Sequence, residues 1–213
     1  MAGDGRRFKS DLPKQFHLLA GKPVYLFALE KLLSLKIIDE IIVVSHPSWC
    51  ELDLGKIKVA PGGATRQQSS FIGLKAFEVR PDIVLIHDGA RPFVSEKIII
   101  ENINSALISG AVDTCISATD TVVFAPNRKE ISAIPNRAHY LRGQTPQTFL
   151  YDLILEAHER AIKDGVENVT DDCSLVLRLG KGVYIVDGEE KNFKITSQLD
   201  LALAEQLTKT SLN

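Results

Sequence analysis

Two kinds of hydrophobic spacing alternate along this chain. Ile41-Ile-Val-Val44 and Ile83-Val-Leu-Ile86 are short continuous apolar runs, which predict strands covered on both faces. Val24 to Leu35, Ala64 to Val79 and Glu96 to Ile108 carry apolar residues at helical spacing, and Pro23 suits a first helical turn. Lys56 to Ala60 and Val112 to Ser117 read as further strands, the first of them running into the turn signal Pro61-Gly-Gly63. Helices are expected near Leu150–Lys163, Asp171–Leu179 and Gln198–Leu207, with a strand at Val183–Val186. Strands alternating with helices imply βαβ units, so the predicted class is α/β with a mostly parallel sheet flanked by helices. Between Thr119 and Gly143 the pattern breaks. Thr121, Val122, Val123, Ile131 and Ile134 alternate loosely around Pro126-Asn127 and Pro135-Asn136, which predicts two strands projecting as a hairpin β-arm. Nothing marks a domain boundary, so residues 1–213 are read as one domain with an arm at about 119–143.

Composition narrows the partners. With 45% hydrophobic and 24% charged residues the chain is ordinary for a soluble globular protein. A net charge of −2 provides no global field for nucleic acid. Cys50, Cys115 and Cys173 are far apart, with neither metal-site spacing nor a disulfide framework, which fits a reducing cytoplasm. No signal peptide and no bilayer-length apolar run stands out. A cytoplasmic protein acting on small molecules, with no nucleic-acid or membrane partner, is the expectation.

Against that balance the N-terminus is locally basic. Gly3 and Gly5 let the backbone turn tightly beside a ligand, and Arg6, Arg7, Lys9 and Lys14 follow within a few positions. Exposed N–H groups and cations together suit a polyphosphate, although a flexible basic tail has the same composition. Ligands of open parallel sheets bind at the carboxyl ends of strands. That places Pro61–Gln68, His87–Pro92 and Asp187–Lys194 on one rim with the Gly loop.

The stretch Pro61–Ser69 can pass its backbone close to a flat base and offer Ser69 as a hydrogen-bond partner; a plain strand-to-helix turn is the alternative. Asp88 can hold Mg²⁺, which takes one or two carboxylates plus phosphate oxygens; an ion pair with Arg91 is the plainer alternative. His87 reads as structural. Lys194, enclosed between Phe193 and Ile195, calls for an anionic partner. Thr170 or Asp171 suits a helix N-cap, and Gln144-Thr-Pro-Gln147 reads as a stiff turn presenting Thr145 or as an ordinary loop. No GxxxxGK[ST] occurs. The set describes phosphoryl or nucleotidyl transfer better than acyl or hydride chemistry.

Ala2-Gly-Asp-Gly-Arg-Arg-Phe8…Pro13-Lys-Gln-Phe16 resembles the signature loop of the sugar- and polyol-phosphate cytidylyltransferases. Pro61-Gly-Gly-Ala-Thr-Arg66…Ser69, His87-Asp-Gly-Ala-Arg-Pro92, Gln144-Thr-Pro-Gln147, Thr170-Asp-Asp172 and Asn192-Phe-Lys-Ile-Thr196 follow in that family's order. The resemblance covers essentially the whole chain and is similar to both the 2-C-methyl-D-erythritol 4-phosphate and the ribitol-5-phosphate branches. It implies a Rossmann-like nucleotidyltransferase fold and a CTP-dependent enzyme with Mg²⁺. The polyol phosphate would attack the α-phosphorus of CTP, with pyrophosphate leaving.

On this chain the resemblance gives Ala2, Gly3, Gly5, Arg7 and Lys14 to the nucleotide triphosphate and Gly63 and Ser69 to cytosine. It gives Asp88 to the metal and Lys194 to the α-phosphate. Arg91, Thr121, Arg137 and Thr145 would meet the polyol phosphate, Thr121 and Arg137 arriving from a partner's arm across a homodimer. Methylerythritol phosphate is the expected substrate; ribitol-5-phosphate and an inactive nucleotide-binding homologue are the alternatives. Family members begin with an apolar strand before the Gly loop, and here Met1 stands directly before Ala2. The expectation is a longer natural N-terminus and, in the chain as given, Ala2 to Lys9 mobile without ligand and weak CTP binding.

Overall fold

The apolar run Ile83–Ile86 forms strand β5, and its side chains explain why the run is unbroken. Val84 packs on one side with Leu74, Phe149 and Ile154, while Ile83 and Leu85 join Ile98 and Ile99 on the other. A strand covered on both faces has no polar side to show in its sequence. A computed structural model describes residues 8, 12–49, 55, 57–167 and 169–210. A short hairpin of β1 (Leu18–Leu19) and β2 (Lys22–Pro23) leads into helix α1 (Val24–Leu33). Strands β3 (Ile42–Ser45) and β4 (Lys58–Pro61) pair in parallel, followed by α2 (Arg66–Lys75), β5, α3 (Glu96–Ser109) and β6 (Ala111–Ser117). After a long exposed segment come β7 (Leu141–Leu150), α4 (Tyr151–Lys163), α5 (Cys173–Arg178), β8 (Tyr184–Asp187) and α6 (Gln198–Thr210).

The α/β class holds, with a mixed sheet rather than a mostly parallel one. Among the described residues a four-stranded sheet runs β5-β7-β6-β8, with β7 antiparallel to both neighbours and β6-β8 parallel. The ten-residue strand β7 replaces the stiff turn expected at Gln144–Gln147, and it takes in Leu141 to Gly143, expected to belong to the arm. From Gln144 to Thr148 its polar side chains are buried. Gln147 is 2% exposed and Thr148 fully covered, each with a hydrogen-bond partner. The register of β6 on β7 shifts between Asp113 and Cys115, where β7 sets Gln144, Thr145 and Pro146 against Thr114 alone. A proline lacks the N–H that a ladder needs, so it fits at such an irregularity.

Two helices are capped by side chains at their first turns. Ser95 Oγ accepts from Ile98 N–H at the start of α3, and Thr65 Oγ1 accepts from Gln68 N–H at the start of α2. Gly110, at φ +85°, ends α3 in a conformation that favours glycine. Helix α2 stops at Lys75, short of the expected Val79. The segment expected as a two-strand arm carries one isolated bridge, Phe124 with Ala133, and a single 3₁₀ turn at Arg137–His139. The expectation for Ala2 to Lys9 lies outside the described residues except for Phe8, which is buried beside Leu19, Val24 and Ile195.

Candidate active site

Asp88 stands just past the carboxyl end of β5, and three elements converge on it. Its Oδ2 lies 2.8 Å from Lys194 Nζ and 3.5 Å from Arg91 Nε. The Asp88 N–H donates to Thr145 Oγ1 at 3.0 Å, and the Asp88 carbonyl accepts from Arg91 N–H at 3.0 Å. Burial alone would raise the Asp88 carboxyl, but Lys194 above all, then Arg91 and Arg66, hold it well below the usual carboxylate range. Arg91 is 8% exposed; Nη1 donates to the Asn192 carbonyl at 2.8 Å, and burial pulls its own pKa below the ordinary value. The structure thus brings Asp88, Arg91, Thr145 and Lys194 together. The alternative reading of Asp88, an ion pair with Arg91, is present too, and Lys194 makes the closer one.

Lys194 owes its position to the residues on either side. Asn192 is fully buried, and its Nδ2 donates to Gln144 Oε1 at 3.1 Å and to the Thr145 carbonyl at 2.8 Å. Ile195, also fully buried, donates its N–H to the Ala90 carbonyl at 2.8 Å. Gln144 in turn donates to the Glu189 carbonyl at 2.8 Å. Strand β7 thus fastens the Lys194 loop against the Asp88 loop, and only the flexible lysine side chain is left to bridge a fixed gap.

His87 is structural, as expected. Its Nε2 lies 3.1 Å from the Arg91 carbonyl and its Nδ1 3.1 Å from Thr145 Oγ1. Because Thr145 Oγ1 accepts from Asp88 N–H, its proton is free to point at Nδ1, which leaves Nε2–H to donate to Arg91. Both roles of the Thr145 hydroxyl are used inside the protein in this arrangement, so Thr145 braces the Asp88 loop. Burial lowers the His87 pKa to about 4. The sign follows directly: between pH 6.5 and about 4 the unfolded chain binds a proton at His87 that the folded chain refuses. Stability should therefore fall as pH drops through that window. Urea midpoints for wild type and His87→Gln, compared at pH 7 and pH 5, check this; an equal loss in both proteins would overturn it.

The second cluster belongs to the loop after β4. The Gly63 N–H donates to Ser69 Oγ at 3.2 Å, and the Ser69 hydroxyl donates to the Thr65 carbonyl at 2.8 Å. A Cβ on Gly63 would stand 2.5 Å from Gln68 Cβ, so only glycine fits this backbone. Arg66, first residue of α2, joins this cluster to the Asp88 side: its Nη1 lies 2.7 Å from Asp172 Oδ2, its Nη2 donates to Gln147 Oε1 at 3.3 Å, and Asp88 is among the charges that raise its pKa after burial lowers it.

Lys14 opens a half-buried 3₁₀ turn, Lys14–Phe16; Ala2, Gly3, Gly5 and Arg7 lie outside the described residues. Thr121 and Arg137 sit in the exposed 118–140 segment, where Arg137 Nη1 donates to the Thr119 carbonyl at 2.7 Å. They are not brought to Asp88 within this chain. Asp171 takes the capping role: its Oδ1 accepts from Ser174 N–H at 2.9 Å. Sequence reasoning gave no role to Arg66, Asp172, Gln144 or Asn192, although all four fall within the motifs that carried the resemblance. Their partners lie far away along the chain, so spacing could not reveal them.

Three comparisons bear on this geometry. The family model described as IspD, 2-C-methyl-D-erythritol 4-phosphate cytidylyltransferase, matches residues 1–210. A protein of that name from Syntrophus aciditrophicus is 41% identical, covering 97% of this chain and 92% of its own. One from Clostridium botulinum strain Langeland is 37% identical, over 97% and 93%. The crystal structure of the Thermus thermophilus protein of the same name superposes with a TM-score of 0.82 at 35% identity, covering 92% of this chain and 94% of that one. The 4-diphosphocytidyl-2C-methyl-D-erythritol synthase from Anaerococcus prevotii gives 0.83 at 32%, over 98% and 94%.

Proposed function

This chain belongs to the 2-C-methyl-D-erythritol 4-phosphate cytidylyltransferase family, and on that footing we propose that the Asp88–Lys194–Arg91 cluster is its reaction centre. The activity is CTP-dependent transfer of a cytidylyl group to 2-C-methyl-D-erythritol 4-phosphate, a step of isoprenoid precursor synthesis. The observation that carries the siting is the convergence of one carboxylate and two cations at the end of β5, beside the Gly63–Ser69 loop.

A phosphate–phosphate exchange of this kind needs positioning and charge neutralisation more than covalent catalysis. Lys194 sits where it can leave Asp88 for a phosphate oxygen, and Arg91 is fixed beside it. The loop closed by the Gly63 N–H to Ser69 Oγ bond is the part assigned to the base. Mg²⁺ fits the donor set present. Asp88 is ionised and partly open, and among the described residues no group of three or more ligating side chains occurs. That suits an ion held by one carboxylate and the nucleotide's own oxygens. When bound, the ion would draw charge from the phosphates.

Among the described residues no helix is long and apolar enough to cross a membrane. A cytoplasmic homodimer is part of the reading. Phe124, Ile131 and Ile134, each more than half exposed on the 118–140 segment, are apolar side chains that a second copy would cover. The direct test is pyrophosphate release from CTP with methylerythritol phosphate or ribitol-5-phosphate. Strong preference for the first supports the reading. Preference for the second moves the chain to the sister activity, and release with neither makes it a nucleotide-binding homologue.

A further inference from the structure

Behind the Gly63–Ser69 loop lies a buried charged chain that the reading above does not use. Asp172 is fully buried, and its two carboxylate oxygens are divided between different elements. Oδ1 meets His158 Nε2 at 3.0 Å, while Oδ2 meets Arg66 Nη1 at 2.7 Å and accepts from Ser70 Oγ at 3.3 Å. The Asp172 N–H donates to Gln147 Oε1 at 3.1 Å, the same oxygen that accepts from Arg66 Nη2 at 3.3 Å. His158 comes from α4, is fully buried, and stacks on Phe71 of α2 with ring centroids 5.8 Å apart. Burial would raise the Asp172 carboxyl, yet His158 and Arg66 bring it below its ordinary value.

Such a construction costs desolvation, and surface helix packing does not require it. Its charge reaches solvent through Arg66. His158, Asp172 and Gln147 are sealed from solvent, whereas the Arg66 side chain is 30% exposed and couples electrostatically to Asp88. Arg66 also opens the helix whose first turn contains Ser69. We propose that Asp172, backed by His158, is a positioning residue that fixes the Arg66 guanidinium between the base-side loop and the Asp88 cluster, and that Arg66 is a further cation for the nucleotide. This rests on the reading of the site as CTP-binding. A guanidinium held on two sides is directed in a way that a free lysine is not.

The test uses the full-length protein, CTP binding measured by calorimetry with Mg²⁺ present, and steady-state kinetics. Arg66→Gln should weaken CTP binding and raise the CTP KM about tenfold, with the polyol-phosphate KM little changed. Asp172→Asn, although it touches no substrate, should reproduce that split, and Arg66→Gln/Asp172→Asn should be no worse than the worse single variant. Should Asp172→Asn fail to fold, His158→Asn serves instead and should shift CTP binding about threefold in the same direction. Additive effects, a shift confined to the polyol phosphate, or normal CTP binding in folded Asp172→Asn or His158→Asn would overturn the proposal. Wild-type turnover is the separate control: its absence would count against the cytidylyltransferase reading, while the binding data would still judge Asp172.

Discussion

Replacing Lys194 by alanine is expected to lower turnover about a hundredfold, roughly 2.7 kcal/mol of barrier. Without substrate the Lys194 ammonium is 2.8 Å from Asp88 Oδ2, and its side chain is one-third exposed, so it is both ion-paired and reachable. A phosphate group entering beside Asp88 offers the ammonium a more highly charged partner, and that exchange should be most favourable as charge shifts during transfer. The backbone on both sides is fixed through Asn192 and Ile195, so removal of the side chain should leave the fold intact. Stopped assays of pyrophosphate release, with circular dichroism as the folding control, read the effect. Near-normal turnover in Lys194→Ala would remove the residue from the mechanism. The same substitution at Lys14 is expected to act in the same direction.

The second large effect concerns two copies of the chain. Within one copy Arg137 bonds to the Thr119 carbonyl and lies on the exposed segment, whereas Asp88 sits at the end of β5. If arms cross between copies, each site draws Asp88 from one chain and Arg137 from the other. Arg137→Ala and Asp88→Ala should then each be nearly inactive alone, while mixing them under conditions of subunit exchange restores up to about one quarter of wild-type activity, since random pairing makes half the molecules heterodimers with one intact site each. Sedimentation confirms whether pairs form. Activity that stays at the level of the separate variants, with exchange demonstrated, would place both residues in the same subunit's site.

Much of this architecture was legible in local spacing. The runs at Ile41–Val44 and Ile83–Ile86 became β3 and β5 because a strand covered on both faces shows no alternation. Asp171 was legible as a capping residue because that chemistry acts over three residues, and its Oδ1 accepts from Ser174 N–H. Asp88, Arg91 and Lys194 were legible as a set because phosphate chemistry restricts which side chains can gather on a strand rim. Strand β7 was hidden. Leu141-Arg-Gly-Gln-Thr-Pro-Gln-Thr-Phe-Leu150 has glycine, proline and several polar residues where a central strand normally shows apolar ones.

What the sequence alone determined, then, are the features that depend on near neighbours: the strand and helix periods, the caps, and the inventory of charges a triphosphate needs. What only the tertiary structure decided is where long-range partners meet. Gln147 is acceptable inside β7 because Asp113, Arg66 and the Asp172 backbone satisfy it from three directions. Thr145 is tied to Asp88 and His87 from almost sixty residues away. A buried polar group is tolerable only when its hydrogen bonds are made, and whether they are made depends on chain closure, which no local window contains. Asp88 shows the same division: its carboxylate was visible in the sequence, but its strongly lowered pKa came from Lys194, which folding brings to its side.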